Sequence, residues 1–158
     1  VGELAHAFGM KVLAHDPFES QEPPYDPFSW ARLDELFRNS DVITLHTPLT
    51  PDLEGIVNKD LLGLVKPGTF IINASRGGLV REEDLVETLN SGRLGGAALD
   101  VVSLEPIRRE NPLLKAKNIL ITPHIAWATR SARSRLLATA VENIKAFLEG
   151  QPQNVVNA

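Results

Sequence analysis

The sequence predicts an α/β fold built on a doubly wound parallel sheet, and three observations carry that prediction. Five short runs rich in Val, Ile and Leu recur along the chain, at Met10–His15, Asp41–His46, Thr69–Ala74, Gly95–Val101 and Asn118–Thr122. Within them the stretches VITL, FII, AAL and ILI are continuous rather than alternating, the pattern of strands buried on both faces. Helical patterns lie between the runs, and parallel strands need such crossovers.

Taken in order, Val1–Phe8 reads as helix interior with no capping residue before it, so the chain begins inside an element. Pro17–Pro27 carries prolines at 17, 23, 24 and 27 and is expected to be an irregular loop. Ser29–Arg38 places Leu33, Leu36 and Phe37 on one helical face. Lys59–Val65 is a shorter helical turn that ends before Pro67-Gly68. Glu82–Leu89 sets Leu85, Val86 and Leu89 on one side, and Asn90-Ser91-Gly92 stops it. The longest helix is expected at Ser131–Glu149, with an apolar stripe through Leu136, Leu137, Ala140, Val141, Ile144, Phe147 and Leu148. Gly150 and Pro152 end it, and no strand is expected beyond.

Composition narrows the chemistry. The chain has 158 residues, 43% hydrophobic and 23% charged, which suits one soluble globular domain. It has no cysteine, so disulfides, thiolate metal sites and cysteine nucleophiles are excluded. A net charge of −4 argues against nucleic acid as a partner, because phosphate affinity needs clustered Lys and Arg. No apolar run approaches the ~20 residues of a membrane span, and a cytoplasmic location is the expectation.

In open parallel sheets, ligands bind outside the carboxyl ends of the strands. The residues just after the predicted strands are Asp16, Thr47-Pro48, Ser75-Arg76-Gly77, Asp100 with Glu105 shortly after, and His124. Asp16 could accept hydrogen bonds from both ribose hydroxyls of an adenosine; its bland reading is an Asp-Pro turn. Its sharper reading expects a G-x-G-x-x-G loop roughly 20 residues upstream, which falls before residue 1. Arg76, on a glycine-flanked loop, could clamp a carboxylate bidentately, or could be an ordinary surface arginine. His124 is a structural residue or a proton donor, and a carboxylate such as Glu105 beside it would favour the second. An Arg clamp with a His–Glu pair suits hydride addition to a 2-oxo acid, whose carbonyl oxygen must gain a proton.

Several motifs together resemble the nucleotide-binding domain of the D-isomer-specific 2-hydroxyacid dehydrogenases. They are Phe8–Val12, Leu45–Thr50, Lys66-Pro67-Gly68, Asn73–Gly77, Gly96–Val101, Glu105-Pro106 and Thr122–Ala126. The segments His124–Ala128, Asn111–Leu114 and Asn154–Asn157 resemble the branch that acts on hydroxypyruvate and glyoxylate. The resemblance implies a Rossmann-like sheet that lacks its first strand and glycine-rich loop here. It also implies roles. Arg76 would bind the substrate carboxylate, His124 would be the acid–base and Glu105 its partner. Asp16 would take the adenosine ribose and favour NAD; Thr47 and Pro48 would line the adenine side. Ala74 and Ser75 would flank the nicotinamide half, Asp100 would hold its carboxamide, and Trp127 would face the substrate. Family members usually carry Thr where this chain has Leu53.

On this reading residues 1–130 are part of an NAD-binding domain, and 131–158 are a helix and tail returning toward a substrate domain. The expected partners are a small 2-oxo or 2-hydroxy acid and a second copy of the chain, with neither nucleic acid nor membrane. The competing expectations are a non-catalytic NAD-sensing or corepressor-type module, and an inactive remnant.

Overall fold

The computed structural model describes residues 1–19 and 21–156. They form two compact units, one of residues 1–122 and a second from Pro123 onward.

The first unit opens with helix α1 (Gly2–Ala7), strand β1 (Val12–Ala14) and strand β2 (Phe28–Trp30). Between the strands, the described residues of Pro17–Pro27 form an irregular loop, as its prolines require. β1 and β2 pair in parallel, with Val12 opposite Phe28 and Ala14 opposite Trp30. Here the structure corrects the sequence reading. Phe28–Trp30 is a strand, and the helix expected from Ser29 begins only at Leu33, as α2 (Leu33–Asn39). Phe28 and Trp30 project to one side of β2 and meet edge to face at 5.2 Å, a contact the strand's period of two creates. Arg32 caps α2, and its backbone N–H donates to Glu35.

The main sheet follows, with strands β3 (Val42–Leu45), β4 (Thr69–Asn73), β5 (Leu94–Leu99) and β6 (Ile119–Ile121) in spatial order β3-β4-β5-β6, all parallel. Short helix α3 (Lys59–Leu62) and helix α4 (Glu82–Asn90) fill the crossovers. Asn58 caps α3 by accepting hydrogen bonds from the N–H groups of Asp60 and Leu61. Two parallel sheets, β1-β2 and β3-β4-β5-β6, with helices in the crossovers, make a Rossmann-like α/β fold.

One face of the main sheet is packed. Ile43, Ile71, Ala97 and Leu99 form a core with Phe37 of α2, Leu62 of α3, Leu85 and Leu89 of α4, and Leu113. The continuous apolar runs predicted burial on both faces, and the structure differs. Burial alternates along β4, and Val42, Phe70, Ile72 and Leu120 on the opposite face are 36–63% exposed. The helices of the first unit that build the core lie on one side only. Phe70 lies over β5 at Gly96, where a Cβ would sit 3.0 Å from its ring.

The second unit holds helix α5 (Arg130–Leu148), capped by the Thr129 hydroxyl accepting from Ala132 N–H. Its length matches the sequence expectation within a residue at each end, and no strand follows among the described residues. None of its side chains is buried, and Leu136, Ile144 and Phe147 are all largely exposed. Among the described residues no helix is long and apolar enough to cross a membrane, and no three His, Asp or Glu side chains form a metal-binding group.

Candidate functional site

Of the residues expected to carry function, Thr47, Pro48, Ala74, Ser75, Arg76, Asp100 and Glu105 follow strands of the main sheet. β4 runs into Asn73, whose buried side chain shapes the loop that follows. Its Oδ1 accepts the Ser75 N–H at 3.0 Å, and its Nδ2 donates to the Arg76 carbonyl at 2.9 Å. The Ser75 hydroxyl donates to the Thr47 carbonyl at 2.5 Å, tying this loop to the one after β3. Arg76 is exposed, with Nη1 donating to its neighbour's carbonyl at 2.8 Å. Ala74 and Pro48 are exposed as well, and Thr47 is half-buried.

Gly77 brings the Arg76 loop against the segment after β5. A Cβ on Gly77 would lie 2.0 Å from the Val102 carbonyl carbon and oxygen, so only glycine fits there. That segment carries Glu105, whose Oε1 accepts the Val102 N–H at 3.2 Å. The structure therefore brings the Arg76 and Glu105 loops into backbone contact.

Asp100 is buried at the end of β5 and accepts the Thr122 hydroxyl at 2.5 Å. Together with Ile72, Asn73, Ala74, Ala98, Leu99, Leu120 and Thr122 it lines a shallow cleft of about 110 Å³. Its wall sets apolar side chains beside the Asp100 carboxylate. A larger depression of about 580 Å³ is lined by His15, Arg32, Leu33, Asp34 and Leu61. It contains none of the candidate catalytic side chains.

Asp16 follows β1 and is exposed, and its Oδ1 accepts the Phe18 N–H at 2.8 Å. The Asp-Pro turn expected as its plain role is thus present, and the second carboxylate oxygen is not needed for it. His15 Nδ1 lies 3.0 Å from the Ala31 carbonyl, and His46 Nε2 lies 3.0 Å from the Thr44 hydroxyl, consistent with structural roles for both.

His124 and Trp127 belong to the second unit. His124 is half-buried and has φ 54°, the left-handed region that a non-glycine residue enters at a cost of about 1–3 kcal/mol. The Trp127 indole N–H donates to the His124 carbonyl at 2.9 Å, which holds the short turn bearing the histidine.

Asn73 and Glu82 were not singled out by the sequence reading. Asn73 had a legible signal, since Asn directly after a strand and before Ser-Arg-Gly is an Asx-turn pattern.

Residues 1–126 match the D-isomer specific 2-hydroxyacid dehydrogenase, NAD binding domain. The chain belongs to this dehydrogenase family. A hydroxypyruvate reductase of Blautia hydrogenotrophica is 53% identical over 156 residues, covering 99% of this chain and 48% of the relative. A glycerate dehydrogenase of Methylorubrum extorquens is 43% identical over 160 residues, covering 100% of this chain and 49% of its own length. Among solved structures, D-lactate dehydrogenase from Aquifex aeolicus complexed with NAD and lactic acid superimposes with a TM-score of 0.86 at 31% identity, covering 94% of this chain and 49% of that one. The chain thus spans about half the length of the dehydrogenases it resembles.

Proposed function

We propose that this chain is the nucleotide-binding part of an NAD-dependent D-2-hydroxyacid dehydrogenase that interconverts a 2-oxo acid, hydroxypyruvate or glyoxylate, and the corresponding 2-hydroxy acid, the D-isomer where that product is chiral. The observation that carries the reading is the pair of packed loops at one sheet edge, with Arg76 on one and Glu105 on the other, held together at Gly77. The 53% identity to a hydroxypyruvate reductase supports the substrate class.

When bound, NAD supplies the hydride acceptor and donor. The chain's own residues would do the rest. Arg76 presents a planar fork to the substrate carboxylate and fixes which face of the keto carbon is offered. His124 in its protonated form gives a proton to the carbonyl oxygen as that oxygen gains charge, and takes it back in the reverse direction. Glu105 would orient the imidazole and stabilise its cationic form. Asp100 would accept from the carboxamide of the nicotinamide half, beside Ala74 and Ser75. Asp16 would accept from the ribose hydroxyls and disfavour a 2′-phosphate, with Thr47 and Pro48 along the adenine. Trp127 would border the substrate.

Residues 1–130 are assigned to the NAD-binding domain and 131–158 to a helix and tail that return toward a substrate domain. A homodimer in the cytoplasm completes the proposal.

The test is steady-state NADH oxidation by the full-length protein with hydroxypyruvate and with glyoxylate. Turnover of either acid that His124→Ala lowers at least ~100-fold is the expected result, in line with general-acid contributions. No turnover of any 2-oxo acid by the folded protein would leave a nucleotide-binding module instead.

A further inference from the structure

Glu82 is a carboxylate that the chemistry above does not use. It stands at the first position of α4 and is only 7% exposed. Both oxygens are engaged with the segment that carries Glu105. Oε1 accepts the Ser103 N–H and Oε2 accepts the Asn111 side-chain amide, each at 2.7 Å. Asn111 in turn caps the turn at Pro112–Lys115 by accepting the Leu113 N–H at 2.9 Å, and Leu113 is fully buried. Ser103 adjoins Val102, whose N–H holds the Glu105 carboxylate and whose carbonyl abuts Gly77.

We propose that Glu82 is a positioning residue for Glu105: one buried carboxylate pins the Ser103 and Asn111 ends of this segment, and so holds Glu105 on the rim beside the Arg76 loop. The inference rests on the proposed role of Glu105 as partner of His124. A charged acceptor suits the task because both of its partners are donors, and two charge-assisted bonds restrain the segment more than neutral ones would. Asn111 cannot turn over to accommodate a donor, since its Oδ1 is committed to the Leu113 N–H.

That geometry gives a compensating pair. In Glu82→Gln the new amide faces the Asn111 amide, donor against donor. In Asn111→Asp two carboxylates face each other. In the double variant the Gln amide donates to one aspartate oxygen while the other still caps Leu113. The measurement is kcat for hydroxypyruvate reduction and KM for NADH in the full-length enzyme, for both single variants, the double variant and Glu105→Gln. Circular dichroism sets an assay temperature at which each variant is folded.

Each single variant is expected to lower kcat at least ~10-fold with KM for NADH within ~2-fold, and the double variant to recover to within ~3-fold of the parent. Should one single variant not fold, the other and the double variant carry the same comparison. A Glu105→Gln variant that loses activity, beside folded Glu82→Gln and Asn111→Asp variants of parental kcat, overturns the positioning role alone. Parental kcat in Glu105→Gln overturns the role of Glu105, and this inference with it.

Discussion

Asn73 does with one side chain what several backbone contacts would otherwise have to do. Buried at the end of β4, it accepts from Ser75 and donates to Arg76, so the loop holding the arginine is closed on both sides by the same amide. Removing it takes away the partners of the Ser75 N–H and the Arg76 carbonyl, two hydrogen bonds of about 0.5–1.5 kcal/mol each. Asn73→Ala is therefore expected to lower the unfolding midpoint in urea and, in the full-length enzyme, to raise KM for the 2-oxo acid more than KM for NADH. Arg76→Lys should also act mainly on KM, because a point charge does not reproduce the planar fork; an unchanged KM for the acid would remove the clamp. Gly77→Ala has no room, with Val102 backbone at 2.0 Å from the added carbon. It is expected to destabilise by more than the ~1–3 kcal/mol of ordinary overpacking, because the neighbour is backbone rather than a movable side chain. Denaturant titration of the purified chain reads this directly.

At the scale of elements, α4 is the organiser. Leu85 and Leu89 on its inner face are fully buried against the sheet, while its first residue, Glu82, holds the segment after β5. Leu85→Ala is expected to cost about 2–5 kcal/mol, the range for a buried leucine whose site cannot collapse, measured as a lowered urea midpoint. The outer side of the helix is less critical. Lys59 of α3 pairs with Glu87 at 3.0 Å, and the hydrogen bond to that carboxylate raises the lysine above its ordinary pKa. A raised pKa in the folded state means that the contribution is fully present below the ordinary lysine range and is lost only as alkaline pH passes through the folded value. Both side chains are well exposed, so Lys59→Met should lower the melting temperature only slightly in low salt, and not at all in 1 M NaCl. A drop that persists in high salt would show that the lysine stem, not its charge, matters.

For the molecule as a whole, the main sheet is covered on one face only. Parallel sheets are stable with both faces covered, yet Val42, Phe70, Ile72 and Leu120 are exposed here, as is the apolar stripe of α5. The sequence contains no G-x-G-x-x-G, so the glycine-rich loop amides that hold a pyrophosphate are not supplied by these 158 residues. The isolated chain is accordingly expected to bind NADH more weakly than the full-length protein does. Isothermal titration calorimetry tests this, and equal affinity would mean that the rim alone suffices.

What the sequence determined by itself was local and periodic. The five Val/Ile/Leu runs are strands, and α4 and α5 lie where their stripes place them. These are consequences of side-chain period and of capping chemistry, which neighbours in the chain decide. Phe28–Trp30 escaped because three residues carry too short a period; only pairing with β1 made them a strand. The one-sided burial of the main sheet was equally hidden, since an apolar strand reads the same whether or not something covers its second face. Glu82 was hidden most completely. Its value lies in Ser103 and Asn111, 21 and 29 residues away, and a carboxylate in the first turn of a helix looks like any other until the fold buries it against two donors.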